Sequence, residues 1–382
     1  LKQLPEYDGI EKEKYVAPGN NMQEELVVIW SDILTIKKDR ISIISNFFNL
    51  GGNSLLAMTL RNRVNKKFNI ELPLAEIFLH PNIRLLSERI MNWKATEEQD
   101  KVIHPINNGS GENLFIIHDG SGELEGYLEL STKINKYKCY GIRFGQFNDI
   151  LESPSIEQIA SNYINEIKTI QKTGPYHILG WSLGGVIAAE ITAQLEAQGE
   201  KVENLIIIDS ALQFEKTLEN QIIDISSEIE LAKSKFDIPE IEEQNFDSIN
   251  EVWNYISDSK KFLQTPLEDI RNMVPEMIQL LIPDFLDKNA QEIMEATNKI
   301  RLLIAASDRY FVNNPINANT LYISPNQSQV NIDREKQQHL FRNSNTITLP
   351  GDHFSIMRSP VVNELSRTVN EHLEVNVLAT HI

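Results

Sequence analysis

Cysteine is all but absent from this chain: Cys139 stands alone in 382 residues. A lone cysteine excludes an internal disulfide, leaves no cysteine cluster for zinc, and fits a reducing, cytoplasmic compartment. It lies in Tyr137-Lys138-Cys139-Tyr140-Gly141-Ile142, a segment that reads as a strand, so its expected role is packing. No apolar run approaches the roughly 20 residues of a membrane span, and no secretory leader is legible. Positive charge is short as well. The 36 Lys and Arg stand against 54 Asp and Glu, and a net charge of −18 would repel phosphate backbones, which argues against nucleic acid as a partner. The first residue is Leu1 rather than Met, so the expectation is a piece cut from something longer. What remains is an ordinary globular composition, 41% hydrophobic and 24% charged, with room for two or three domains.

Two zones differ in pattern. Residues 22–91 carry helical stripes: Leu26, Ile29, Trp30 and Ile33 in Met22–Leu34, then Leu55, Met58, Val64 and Phe68 in Ser54–Phe68. A last short helix, Ile83–Ile90, follows Pro81. This zone predicts a small all-α bundle. From Trp93 to Gly111 the composition turns polar and reads as a linker. Beyond it, strand-like runs at Leu114–His118, Tyr137–Ile142, Tyr176–Leu179, Leu205–Asp209, Thr320–Ile323 and Thr346–Leu349 alternate with helical ones. That alternation predicts a doubly wound, mostly parallel sheet. It breaks between Leu212 and Asn298, an acidic, helical stretch that reads either as a lid over the site or as a bulky structural insertion.

The densest signal is Tyr176-His177-Ile178-Leu179-Gly180-Trp181-Ser182-Leu183-Gly184-Gly185. A strand ends in Gly-x-Ser-x-Gly and a helix begins at once, which is the context of a nucleophile elbow. Ser182 is therefore the candidate nucleophile, against the plainer alternative of a structural serine in a tight turn. A serine hydroxyl needs an adjacent base, itself held by an acid. His353, in Pro350-Gly351-Asp352-His353-Phe354 after the last strand, is the candidate base. His118, ending a strand, is an outside candidate; His177 sits on the strand before the elbow and is read as packed or exposed. His80, His104, His339, His372 and His381 fall in helical, linker or terminal contexts. For the acid, Asp209 ends the strand after the nucleophile, whereas Ser324-Pro325-Asn326-Gln327 after the next strand offers no carboxylate. Asp308 reads as a solvated helical carboxylate and Asp352 as a shaper of the His353 loop. The Leu183 N–H and a second N–H from His118-Asp119-Gly120-Ser121-Gly122, with Gly120 chosen, are the candidate oxyanion donors.

A second serine stands in Asn46-Phe47-Phe48-Asn49-Leu50-Gly51-Gly52-Asn53-Ser54-Leu55. By physics alone Ser54 reads first as a helix N-cap. The segment, however, resembles the attachment motif of peptidyl carrier domains in nonribosomal peptide synthetases: a Phe-Phe pair, Leu-Gly-Gly, a variable residue, then Ser-Leu. Tyr15-Val16-Ala17-Pro18, Glu24-Glu25-Leu26 and Ile29-Trp30 resemble that family's entry into its first helix. Pro73-Leu74-Ala75-Glu76-Ile77-Phe78 resembles its approach to the last, and Leu1-Lys2-Gln3-Leu4-Pro5 the end of a preceding adenylation domain. The match departs at Asn53, where His or Asp is usual, and at Asn46 and Asn49, where acidic residues are common. The second zone resembles the thioesterase domain that ends such assembly lines, in Gly180–Gly185, in Gly351-Asp352-His353-Phe354, in the Ser182–Asp209 spacing and in the helical insertion.

The resemblance implies a four-helix carrier bundle over 18–92, preceded by linker at 1–17. It implies an α/β-hydrolase domain over 111–382, joined by a linker at 93–110 and carrying a lid at about 212–298. It implies 4′-phosphopantetheine on Ser54, with the Ser182–Asp209–His353 triad transferring a peptidyl thioester and releasing it by hydrolysis or macrocyclisation. The partners implied are upstream condensation and adenylation domains, a phosphopantetheinyl transferase and a peptidyl substrate. Nothing in the sequence calls for an obligate oligomer, so a monomer is expected. Two other readings follow from the same residues: an editing thioesterase that strips misloaded arms, and a catalytically silent docking module.

Overall fold

The structure is a computed structural model that describes residues 15–70, 72–93, 101–145, 154–213, 223–330 and 334–375. Leu1–Pro5, residues 94–100 of the expected linker, residues 214–222 of the expected lid, and His381 lie outside the described residues. The chain divides into two units, Leu1–Gln99 and Asp100–Ile382.

The first unit contains α1 (Asn21–Leu34), α2 (Ser54–Phe68), α3 (Leu74–Leu79) and α4 (Ile83–Met91). Its core is built on Trp30 and Phe47, both fully buried, whose rings meet edge to face with centroids 4.9 Å apart. Burying such rings stabilises a small domain by about 2–3 kcal/mol each. Phe48 packs on Phe78 of α3, so the Phe-Phe pair ties the long connection after α1 to two helices. The Gly-Gly that follows is required twice over. Gly51 has φ +101°, and a Cβ on Gly52 would stand 2.4 Å from the Phe47 ring. Asn20, Asn53 and Asn82 cap α1, α2 and α4 through their side chains. The cap of α2 is thus Asn53, which accepts from Leu56 N–H at 3.0 Å, and Ser54 is the first residue inside the helix. This corrects the reading of Ser54 as the cap.

The second unit is a seven-stranded sheet. Its strands are β1 (Ile103–Pro105), β2 (Asn113–Ile117), β3 (Lys138–Ile142), β4 (Tyr176–Trp181), β5 (Val202–Ile208), β6 (Ile316–Pro325) and β7 (Phe341–Leu349). The order is β1-β3-β2-β4-β5-β6-β7, and every pairing is parallel except β1 with β3. The short helix α5 (Leu128–Ser131) follows β2; α6 (Ile156–Ile170) and α7 (Leu183–Ala197) pack on the sheet through one cluster that includes Ile159, Tyr163, Ile187 and Ile191.

Between β5 and β6 come α8 (Ile225–Phe236), α9 (Ile249–Asp258), α10 (Lys260–Gln264), α11 (Leu267–Met273), α12 (Glu276–Leu281) and α13 (Ala290–Arg309). These helices have a core of their own around Phe236, Val252, Trp253, Ile256, Ile270 and Ile300. The buried Glu228 of α8 binds Arg301 of α13 through both oxygens and accepts from the Trp253 indole at 2.6 Å. The chain then runs through β6, α14 (Arg334–Leu340) and β7 to α15 (Val361–Val375), which packs against α5 and β7.

Four boundaries differ from the sequence reading. Ile103–Pro105, read as linker, is the antiparallel edge strand, so the linker ends earlier than residue 110. Its three residues, one of them proline, are too short to show a period, and an edge position suits Pro105. The insertion's last helix continues to Arg309 rather than ending near 298. β6 and β7 also begin earlier than Thr320 and Thr346, since their outer halves carry polar Asn and Arg residues.

Candidate active site

β4 delivers Ser182 at its C-terminal end, and α7 begins at the next residue. Ser182 has φ 58° and ψ −128°, a conformation non-glycine residues rarely adopt. The turn is tight enough to fix its neighbours. A Cβ on Gly180 would lie 2.1 Å from Gly184 O, one on Gly184 would lie 2.4 Å from His118 O, and one on Gly185 would lie 2.0 Å from Ser210 Oγ. These three glycines let α7 settle against the ends of β2, β4 and β5.

His353 Nε2 stands 3.1 Å from Ser182 Oγ, and His353 Nδ1 stands 2.7 Å from Asp209 Oδ2. Asp209 follows β5 directly, is 1% exposed, and has φ +41°, a region aspartate tolerates. Its buried carboxylate can only accept, so Nδ1 carries a proton and Nε2 presents its lone pair to the serine. The three sequence candidates are therefore one hydrogen-bonded chain. Asp308 is exposed on α13, and Asp352 is exposed, its Oδ1 accepting from Phe354 N and Ser355 N, both at 2.9 Å. His177 is buried beneath the strand, bound to Asn204 and Glu112. Cys139 is fully buried, with burial pushing its thiol up to about 12.

Four residues serve the site without having been legible. Ser328, just after β6, donates to Asp209 Oδ1, the oxygen His353 leaves open. Its loop is carried there because Gln327 N donates to Gly351 O at 2.9 Å, joining the loops after β6 and β7. Trp181 donates from Nε1 to His353 O at 3.1 Å and lays its ring beside the imidazole, centroids 5.1 Å apart. Tyr127 OH accepts from Trp181 N at 2.7 Å, bracing the strand end before the elbow. Asp119 is buried in the loop after β2. Its Oδ1 accepts from Ser121 N at 2.8 Å and Ser121 Oγ at 2.5 Å. Burial pushes the Asp119 carboxyl up to about 6; the Ser121 donors and the His353 ring pull the other way, and Glu123 adds to the rise.

The Leu183 N–H opens α7 and is one of the donors a helix start leaves without an intrahelical acceptor. Gly120 lies in the same loop as Asp119, and its N–H donates to no acceptor among the described residues. The lid reaches this loop. The Leu281 side chain comes within 3.8 Å of where a Cβ on Gly120 would sit, and Lys299 of α13 pairs with Glu123. Among the described residues, no group of His, Cys, Asp and Glu side chains is arranged to hold a metal, and no helix is long and apolar enough to cross a membrane.

Ser54, in the other unit, is half-buried at the first position of a 15-residue helix, beside Leu55, which is 66% exposed. Asn53 acts as the cap, and the helix start favours a phosphate ester on Ser54. The residues present fit a covalently attached phosphopantetheine.

Comparison with known proteins agrees with both units. The family model for a thioesterase domain matches residues 112–373, and that for a phosphopantetheine attachment site matches residues 24–90. A dimodular nonribosomal peptide synthase of Bacillus subtilis is 33% identical over 195 residues, covering 50% of this chain and 8% of its own length. Bacitracin synthase 3 of Bacillus licheniformis is 32% identical over 244 residues, 61% of this chain and 4% of its own. The chain thus spans less than a tenth of these curated relatives. A four-domain nonribosomal peptide synthetase, solved in its holo form with AMP and glycine, aligns with a TM-score of 0.52 at 24% identity, over 96% of this chain and 27% of its own, which is a likeness of fold.

Proposed function

The chain belongs to the thioesterase-domain family, of the α/β-hydrolase type and preceded by a phosphopantetheine-attachment domain, and we propose that it is the chain-releasing end of a nonribosomal peptide synthetase. Its partners on this reading are upstream condensation and adenylation domains, a phosphopantetheinyl transferase that modifies Ser54, and a peptidyl substrate. 4′-Phosphopantetheine on Ser54 supplies the thiol that holds an acyl chain as a thioester. The observation that carries the reading is the hydrogen-bonded run Ser182–His353–Asp209 on the same chain as that attachment site.

His353 Nε2 takes the Ser182 proton as Oγ attacks a thioester carbonyl, and buried Asp209 stabilises the imidazolium that forms. The Leu183 and Gly120 N–H groups donate to the developing oxyanion, and one such donor is worth about 3–4 kcal/mol in the transition state. His353 then returns its proton to the departing sulfur. In the second half-reaction His353 draws a proton from the attacking nucleophile and returns it to Ser182 Oγ as the acyl–serine ester bond breaks. Water yields the linear acid, and an amine or hydroxyl of the same peptide yields a ring. The intact triad geometry speaks against a silent module, and a carrier on the same chain speaks against a free-standing editing role.

The test is intact mass spectrometry after loading with a phosphopantetheinyl transferase and an acyl-coenzyme A. Wild type and Ser182→Ala should both gain the acyl-arm mass, and only wild type should lose the acyl group with time. Rapid release by Ser182→Ala sinks the triad; no mass gain in either protein, or a mass gain that persists in Ser54→Ala, sinks the carrier assignment.

A further inference from the structure

His118 is fully buried, makes two short hydrogen bonds, and has no part in the proton transfers described above. Its Nδ1 lies 2.7 Å from the backbone O of Asp119, the residue between it and Gly120. Its Nε2 lies 2.7 Å from Tyr163 OH on α6. A carbonyl oxygen can only accept, so Nδ1 carries the proton, and Nε2 accepts from the tyrosine hydroxyl. Burial draws the imidazole down to about 4, with Lys299 adding to the fall and the Asp119 carbonyl and Glu123 resisting it, which keeps the ring neutral with this one tautomer.

The ring is packed on two sides and its backbone is tied to the sheet. Tyr163 and Phe144 both stand edge-on to it, centroids 5.6 and 5.9 Å away, and His118 N donates to Ile142 O of β3 at 2.9 Å. The Asp119 carbonyl also accepts from Gly122 N at 3.0 Å, so two donors fix it on one side. In a trans peptide the N–H points opposite to the C=O. The Gly120 N–H of that same peptide is therefore turned away from His118, and it donates to no acceptor among the described residues. The Leu281 side chain lies 3.8 Å from where a Cβ on Gly120 would sit.

We propose that His118, held by Tyr163, is a positioning residue that fixes the Asp119–Gly120 peptide so that its N–H serves as the second oxyanion donor. The inference rests on the thioesterase reading and on Gly120 as a donor. It assigns a role to a histidine whose sequence position suggested a general base, and to a tyrosine on a helix remote from the motif. Asn at position 118 keeps an amide N–H close to where Nδ1 sits; Leu fills the space and donates nothing.

The full-length protein would be compared as wild type, His118→Leu, His118→Asn and Tyr163→Phe, with kcat and KM on a small acyl thioester and the affinity for an alkyl boronic acid that forms a tetrahedral adduct on Ser182. His118→Leu should lower kcat by up to the ~10²–10³-fold typical of a lost oxyanion donor, with KM unchanged and boronate affinity falling in step. His118→Asn should recover most of the loss, and Tyr163→Phe, which removes only a hydroxyl, should show a smaller fall in the same direction. Wild-type kcat and boronate affinity in His118→Leu, or Asn no better than Leu, would overturn the proposal and leave the triad standing. If His118→Leu does not fold, Tyr163→Phe decides: a loss confined to melting temperature or KM overturns the proposal, and a loss in kcat and boronate affinity supports it. A wild-type protein that neither turns over thioester nor binds boronate would instead defeat the thioesterase reading.

Discussion

Ser182 and Asp209 both hold positive-φ backbones, and each is hydrogen-bonded to the end of a neighbouring strand. Ser182 N donates to Ile208 O at 2.9 Å and Asp209 N to Ile323 O at 2.8 Å, so the parallel ladder itself sets the acid against the base. Replacing Asp209 by Asn leaves the shape nearly unchanged but offers His353 an amide that can hold the wrong tautomer. A loss of about 10⁴-fold in kcat, with the fold retained by circular dichroism, is expected by analogy with other Ser-His-Asp sites; a loss below tenfold would remove Asp209 from the triad. Asp119 gives a stability prediction of definite sign. Its folded carboxyl is raised to about 6 from 3.8, so its favourable contribution is present below about 3.8 and is lost as pH rises through 6. Asp119→Asn removes the buried charge. Its melting temperature relative to wild type should therefore climb between pH 4 and pH 7.5, by the equivalent of on the order of 3 kcal/mol. A difference that stays flat with pH would contradict the assignment. These residues also mark what the sequence could say. Ser182, Asp209 and His353 are legible because covalent chemistry restricts residue type and chain order. Ser328, Tyr127, Asp119 and the His118–Tyr163 pair are not, because any hydroxyl or carboxyl brought near by packing could have filled their places.

At the scale of elements, legibility followed period and length. α2 was bounded at Ser54 and Phe68 from its stripe alone, and β4 from an apolar run ending at the elbow. β1 was lost because three edge residues carry no pattern. The lid read as helical but not as a body with its own core, since the Glu228–Arg301–Trp253 contact joins residues far apart in sequence. A similar contact holds the small unit. Glu76 of α3 accepts from Arg89 of α4 through both oxygens, at 2.9 and 3.0 Å, and lies 3.0 Å from His80 Nδ1. Burial alone would raise its carboxyl, yet the His80 and Arg89 hydrogen bonds and the Arg89 charge bring it down to about 2. Its stabilising contribution is thus full above 4.5 and is lost as pH falls toward 2. Glu76→Gln should lower the stability of the first unit at pH 7 by about 3 kcal/mol, with wild type and variant converging near pH 2. Denaturant unfolding followed by Trp30 and Trp93 fluorescence would measure it, and a pH-independent difference would rule the ion contact out as the cause.

At the scale of the whole molecule, each unit buries its own core, and the serine proposed to carry the acyl chain, Ser54, and the serine proposed to receive it, Ser182, lie on different units. The order of the two was legible because each motif is local: Leu-Gly-Gly-Asn-Ser needs only a turn and a helix start, and Gly-x-Ser-x-Gly only a strand and a helix. What joining them contributes is concentration. A short tether holds the two reacting groups at an effective concentration near the millimolar range, so weak association between the units suffices for turnover. Cutting the chain between residues 93 and 101 and supplying the two units separately should therefore slow release sharply at micromolar concentration. Raising the free thioesterase unit toward ~1 mM should restore the rate of the joined chain. Time-resolved mass spectrometry of the acylated first unit, titrated with the second, gives that rate directly. Saturation at micromolar concentration would mean that the units bind one another tightly, and the tether would then add nothing to delivery.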